Sequence, residues 1–79
     1  MQAEDVCELI RAQLKDTEVS VETDGYHYQV LAIGEVFAGL GPVKRQQLIY
    51  GCLNPHIMDG TLHAVVIKTF TPDEWRNKA

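Results

Sequence analysis

Apolar residues recur along this chain at two different spacings, and the switch between them lays out the elements. Val6, Leu9, Ile10 and Leu14 return at helical intervals from about Gln2 to Lys15, with Glu4, Asp5, Glu8 and Arg11 left between them. That pattern predicts a helix with one apolar face. Acids near its start and Lys15 at its end suit the helix dipole. After Asp16 the period drops to two: Val19 and Val21 alternate with polar neighbours, Asp24-Gly25 reads as a hairpin turn, and Tyr26 to Gly34 is β-branched and aromatic enough to be the returning strand.

Three glycines and a proline then punctuate Gly34 to Pro42 around Phe37, which predicts a loop with Phe37 as its buried peg. Pro42 suits the first position of a helix, where a missing N–H costs nothing. Val43, Gln47, Tyr50 or Ile49, and Leu53 follow at helical spacing, leaving Lys44 and Arg45 toward solvent, and Asn54-Pro55 is expected to end or re-aim this helix before Asp59-Gly60. Leu62 to Phe70 is apolar on both sides for most of its length, which suits a central strand. Thr71-Pro72-x-Glu74 is a reciprocal capping arrangement opening a short last helix, with Trp75 as the residue that docks it. The order helix, strand, strand, helix, strand, helix implies a small two-layer α+β domain: two antiparallel strands plus a third, with helices on one face.

Composition narrows the function classes. At 79 residues the chain is expected to be a single domain, 1–79, with little room for an enclosed active site. Chains of this size bury only about 60% of their unfolded surface. No apolar run approaches a membrane span, and the acidic opening MQAEDVCE lacks the basic and apolar regions of a secretion signal, so the expected location is cytoplasmic with no membrane partner. A net charge of −4 disfavours sequence-independent binding to nucleic acid. Cys7 and Cys52 form no CxxC pair and read as reduced, packed residues.

The residues that could carry chemistry are few. His63 stands at the entrance of the last strand, His27 just past the hairpin turn, and His56 in a connection. Each imidazole could bind a metal, but two cysteines and three scattered histidines make no recognisable zinc set. No nucleophile has a base at a telling spacing, and neither cysteine shows the setting of a peroxidatic thiol, so no enzyme is expected. Lys44-Arg45 after Gly39-Leu40-Gly41 invites a phosphate reading, yet the Walker pattern is absent and Gly39-x-Gly41 has the wrong spacing for a KH-type GxxG clamp. Tyr26 and Tyr28 would share a strand face and could stack on bases, though strand aromatics more often pack.

One family carries these residues together. The chain resembles the BolA family, and within it the IbaG-like (acid-stress) branch, through Asp24-Gly25-x-His27-Tyr28-x-Val30, Phe37-x-Gly39-x-x-x-Val43-Lys44-x-Gln46-Gln47-x-x-Tyr50-Gly51-x-Leu53, Leu62-His63-Ala64-Val65 and Thr71-Pro72-x-Glu74-Trp75. Lys44-Arg45-Gln46-Gln47 stands where many members have an Arg-His-Arg run, which narrows the resemblance to this branch. It implies an αββαβ(α) domain of class II KH-like topology and a non-enzymatic adaptor that shares a glutathione-containing [2Fe-2S] cluster with a monothiol (CGFS) glutaredoxin. His63 matches the family's C-terminal histidine ligand, and His27 lies in or beside the loop that supplies a second ligand. The alternative it implies is a KH-like nucleic-acid-binding regulator contacting DNA phosphates through Lys44, Arg45 and Lys68.

Overall fold

Residues 1–78 are described by the structure, a computed structural model. The period-two segments form the expected hairpin: β1 (Glu18–Thr23) pairs antiparallel with β2 (His27–Ile33), bringing Val19 opposite Ala32 and Val21 opposite Val30. The turn needs Gly25, whose φ of 102° lies where a side chain would be strained. Asp24 completes the turn, its Oδ1 accepting the backbone N–H groups of Tyr26 and His27 at 2.9 and 2.8 Å. β3 (Ala64–Phe70) runs parallel to β2, from His27 opposite Ala64 to Ile33 opposite Phe70.

The strand order is β1-β2-β3, so β3 is an edge strand and not the central one expected from its composition. Its apolar run has a different cause. Val65 and Ile67 pack on the core, while Val66 is 51% exposed on the opposite face and Phe70, on that same face, is covered by Trp75. The central strand is β2, whose alternation sends Tyr28, Val30 and Ala32 into the core.

Two helices cover that core face. α1 (Ala3–Gln13) contributes Val6, Cys7 and Ile10, and α2 (Pro42–Met58) contributes Ile49, Cys52 and Leu53. Between β2 and α2 a single 3-10 turn, Glu35–Phe37, drives the Phe37 ring into the core with no exposed surface. Burying a side chain of that size stabilises by about 1.5–3 kcal/mol. Gly34, just before it, is a close-approach position: a Cβ there would sit 2.7 Å from Thr17 Oγ1.

α2 differs from expectation in two ways. Its buried stripe is Ile49, Cys52 and Leu53, with Val43 70% exposed and Gln47 and Tyr50 on the wet side. It also continues through Pro55 to Met58. A proline this late removes only one intrahelical donor, the one for the Gly51 carbonyl, and Gly51 is exposed, so water can serve that oxygen. α3 (Pro72–Arg76) has the expected capping box: Thr71 Oγ1 accepts from Glu74 N–H at 3.1 Å and Glu74 Oε1 accepts from Thr71 N–H at 2.9 Å. Its Trp75 meets Phe70 edge to face at 5.3 Å, on the side of the sheet away from α1 and α2, so the helices do not all lie on one face. No helix among the described residues is long and apolar enough to cross a membrane.

Candidate functional site

Parallel pairing of β2 and β3 places their first residues side by side. Because His27 pairs with Ala64, His63 arrives at the same end of the sheet as the hairpin turn. The backbone before it is anchored: Leu62 is buried and its N–H donates to the His56 carbonyl at 3.0 Å. His63 itself is exposed, as is His27, whose side chain is 63% accessible.

Tyr26 joins the two. Its ring stacks on His63 with centroids 5.4 Å apart and planes 11° from parallel, and it meets His27 edge to face at 5.0 Å. It lies in the turn, 57% exposed, whereas Tyr28 is 3% exposed with its hydroxyl donating to the Met1 carbonyl. The two tyrosines therefore do not share a strand face as expected, and Tyr28 packs, the use favoured for strand aromatics. Tyr28 belongs to the core and Tyr26 to the site.

His27 has a second fixed neighbour in Asp24, whose Oδ2 lies 3.1 Å from Nδ1. Backbone N–H groups of His27 and Tyr26, then the His27 ring itself, hold the Asp24 carboxyl down at about 2. The Asp24 carboxylate can only accept, so Nδ1–H is the donor in this hydrogen bond, and Nε2 is the ring nitrogen it leaves uncommitted. Sequence reasoning singled out both histidines but missed Asp24 and Tyr26. The signal was an Asp three residues before a His across a tight turn, which is the spacing that closes this hydrogen bond.

The donor set fits half of a cluster's coordination. Among the described residues no group of three or more His, Cys, Asp or Glu side chains is placed to hold a metal ion. Iron–sulfur clusters take four protein or thiol ligands, with histidine pairs replacing cysteines in some centres. Two exposed imidazoles at one edge therefore suit a cluster completed by donors from another molecule, and do not suit one held by this chain alone. His56 stands elsewhere, beside a hollow lined by Met1, Asp5, Glu8, Leu9 and Ala12. Cys7 and Cys52 are buried, and burial pushes both thiols up, opposite to what a nucleophilic or ligating thiolate requires.

The three basic residues singled out for phosphate binding do not share a surface. Arg45 is not on the wet side of α2 as expected. Its guanidinium donates to both carboxylate oxygens of Glu74, at 2.6 and 3.0 Å, and its Nε donates to the Leu40 carbonyl at 2.8 Å. Glu74 thus does more than cap α3. Lys68 lies on the face of the sheet opposite the α1–α2 layer, and Lys44 is exposed on α2.

The family model described as "BolA-like protein" matches residues 9–74, a span that includes Asp24, Tyr26 and both site histidines. The acid stress protein IbaG of Escherichia coli is 44% identical over 75 residues, covering 95% of this chain and 89% of that protein. A bolA protein homologue from Coxiella burnetii superposes with a TM-score of 0.84 at 32% identity, covering 96% of this chain and 97% of the other. The BolA domain of SufE1 from Arabidopsis thaliana gives 0.80 at 29% identity, covering 91% and 93%. On sequence and fold alike, the chain belongs to the BolA-like family.

Proposed function

We propose that this chain is a non-enzymatic adaptor of iron-sulfur cluster handling in the stress response, which binds a monothiol (CGFS) glutaredoxin and co-ligates a [2Fe-2S] cluster through His63 and His27. The observation that carries the reading is the convergence of two exposed imidazoles on one Tyr26 ring, with Nε2 of His27 left free by Asp24. A partner thiolate and a glutathione thiolate supply the remaining donors. Nitrogen in place of sulfur reduces the negative charge at iron and raises the reduction potential, which sets such a shared cluster apart from one held by thiolates alone. The protein's own part is to present and orient two neutral donors at an open edge. The likeness to the acid stress protein IbaG supports the stress setting.

The nucleic-acid alternative through Lys44, Arg45 and Lys68 draws no comparable support, because Arg45 is already engaged by Glu74 and Lys68 lies on the other side of the sheet. The deciding experiment mixes the protein anaerobically with a CGFS glutaredoxin, glutathione, iron and sulfide. A coloured heterodimer is expected, with His63→Ala altering its visible spectrum and shortening its lifetime. A spectrum indifferent to His63 would sink the assignment.

A further inference from the structure

Building on the ligand assignment of His27 and His63, we infer that Asp24 and Tyr26 are positioning residues that preset both imidazoles before any partner arrives. Asp24 divides its oxygens between two tasks. Oδ1 accepts the N–H groups of Tyr26 and His27 at 2.9 and 2.8 Å and so shapes the turn, while Oδ2 accepts the Nδ1 proton of His27 at 3.1 Å and so fixes its tautomer. An imidazole free in water exchanges its proton between the two nitrogens. Here the proton is kept on Nδ1, and ligation through Nε2 needs no rearrangement. A carboxylate behind a ligating histidine also makes it a better donor.

Tyr26 extends the same control to the second strand. Its backbone is pinned by Asp24, and its ring lies 11° from parallel with His63 while meeting His27 at 81°. One side chain therefore limits the rotation of two imidazoles, one in β2 and one just before β3. Without it each ring would have to be ordered when the partner docks, and that ordering cost would be subtracted from binding. The hydrogen bond occupies Nδ1 and leaves Nε2 of His27 uncommitted.

Both parts of this inference have signatures in the protein without a cluster. With histidines labelled with heavy nitrogen, long-range nitrogen–proton correlation spectra at neutral pH report the tautomer of each ring. His27 is expected as the Nδ1–H form. Asp24→Asn retains an oxygen for the turn and can put an amide NH2 where Oδ2 was, so the His27 proton is expected to move to Nε2. Tyr26→Leu is expected to shift the His63 ring protons by removing the stacked ring current, and Tyr26→Phe to restore them. In the glutaredoxin heterodimer, Asp24→Asn is expected to hold the cluster about 10- to 100-fold less tightly. An unmoved proton in Asp24→Asn, or an unweakened cluster despite a moved proton, overturns the role of Asp24. His63 ring protons insensitive to Tyr26→Leu overturn the role of Tyr26. Failure of the ligand assignment looks different: His27→Ala and His63→Ala then leave the cluster spectrum unchanged although the tautomer is as expected.

Discussion

The two ends of the parallel β2–β3 pair are built on opposite principles. At the end where the strands begin, the turn, His27 and His63 are exposed, held by the hydrogen bonds that the accessible Asp24 carboxylate accepts and by the contacts of the Tyr26 ring with both imidazoles. Where the strands finish, Gly34 N–H donates to the Phe70 carbonyl at 2.9 Å, Phe37 is sealed into the core, and Arg45 bolts the loop carbonyl of Leu40 to Glu74 of α3. Each end contains a carboxylate bonded to a nitrogen donor, yet Asp24 and His27 are 65% and 63% exposed while Arg45 is 14% exposed. The difference teaches where this small domain keeps its stability and where it exposes its imidazoles. A separation of this kind would let the open end, as proposed, meet another molecule without loosening the core.

Phe37→Ala attacks the closed end and should have the largest effect. Truncating a fully buried phenylalanine typically costs about 3–5 kcal/mol, a large part of the stability of a domain this size. Urea unfolding monitored by circular dichroism checks it. A loss under 1 kcal/mol would mean that Phe37 does not fill the core and that the contrast between the ends is overdrawn.

Gly25→Ala attacks the open end through its backbone. At φ 102° a Cβ meets no neighbouring atom, so the penalty is conformational strain alone, of order 1–3 kcal/mol unless the turn relaxes. Relaxation would cost the site its geometry, because Tyr26 and His27 take their direction from this turn. The expected outcome is a modest fall in the unfolding midpoint together with displaced Tyr26 and His63 ring signals. Preserved ring signals would show that the turn does not set the site.

Much of this contrast was legible in the sequence. The hairpin followed from Val19/Val21 and Asp24-Gly25, Phe37 stood out as the one aromatic residue in a glycine-rich loop, and the Thr71–Glu74 cap was written in its spacing. The misreadings share a cause: local pattern cannot say which neighbour an apolar or charged residue will meet. Val43, Gln47 and Tyr50 have helical spacing but face solvent, because the sheet meets α2 along Ile49, Cys52 and Leu53. Edge strand β3 looks central because Trp75 of α3 covers Phe70 on the face of the sheet away from α1 and α2. Arg45 and Glu74 are 29 residues apart, so their pairing is a product of the fold. The two histidines could be named from the resemblance, but their shared tyrosine became visible only when parallel pairing brought Ala64 beside His27.

A smaller effect, and one that depends on pH, is expected at the Arg45–Glu74 bolt. The Arg45 guanidinium, then the Thr71 backbone N–H, hold the Glu74 carboxyl at about 2 against an ordinary value of 4.5. A group depressed on folding adds stability above its unfolded pKa and loses that contribution as pH falls through the folded value. The Glu74 contribution should therefore be complete above about pH 4.5 and should fade toward pH 2. Glu74→Gln should lower stability at neutral pH and flatten part of the fall on acidification. Asp24, also held at about 2, titrates in the same window from the other end, so Asp24→Asn should remove a separate part of that slope. If neither variant changes the acid limb, these exposed carboxylates do not govern it.

The smallest change in stability is expected where the proposed change in function is greatest. His27→Ala and His63→Ala, singly or together, remove exposed imidazoles that fill no cavity, and such surface changes usually stay within about 0.5 kcal/mol. What they do remove is the hydrogen bond from His27 to Asp24, the edge contact and the stack on Tyr26, all of them interactions between groups already open to solvent. Exposed ring contacts of this kind replace favourable hydration, so little net energy is at stake in the free protein. The same rings acquire value only when a partner excludes water around them and asks for two neutral donors at fixed positions. Equal urea midpoints for the wild type and the double variant, beside a clear loss of the glutaredoxin-shared cluster, would show that these residues are maintained for an interaction and not for the fold. A double variant destabilised by more than about 1 kcal/mol would instead make the histidines part of the scaffold, and the division between the two ends would fail at the residues on which it most depends.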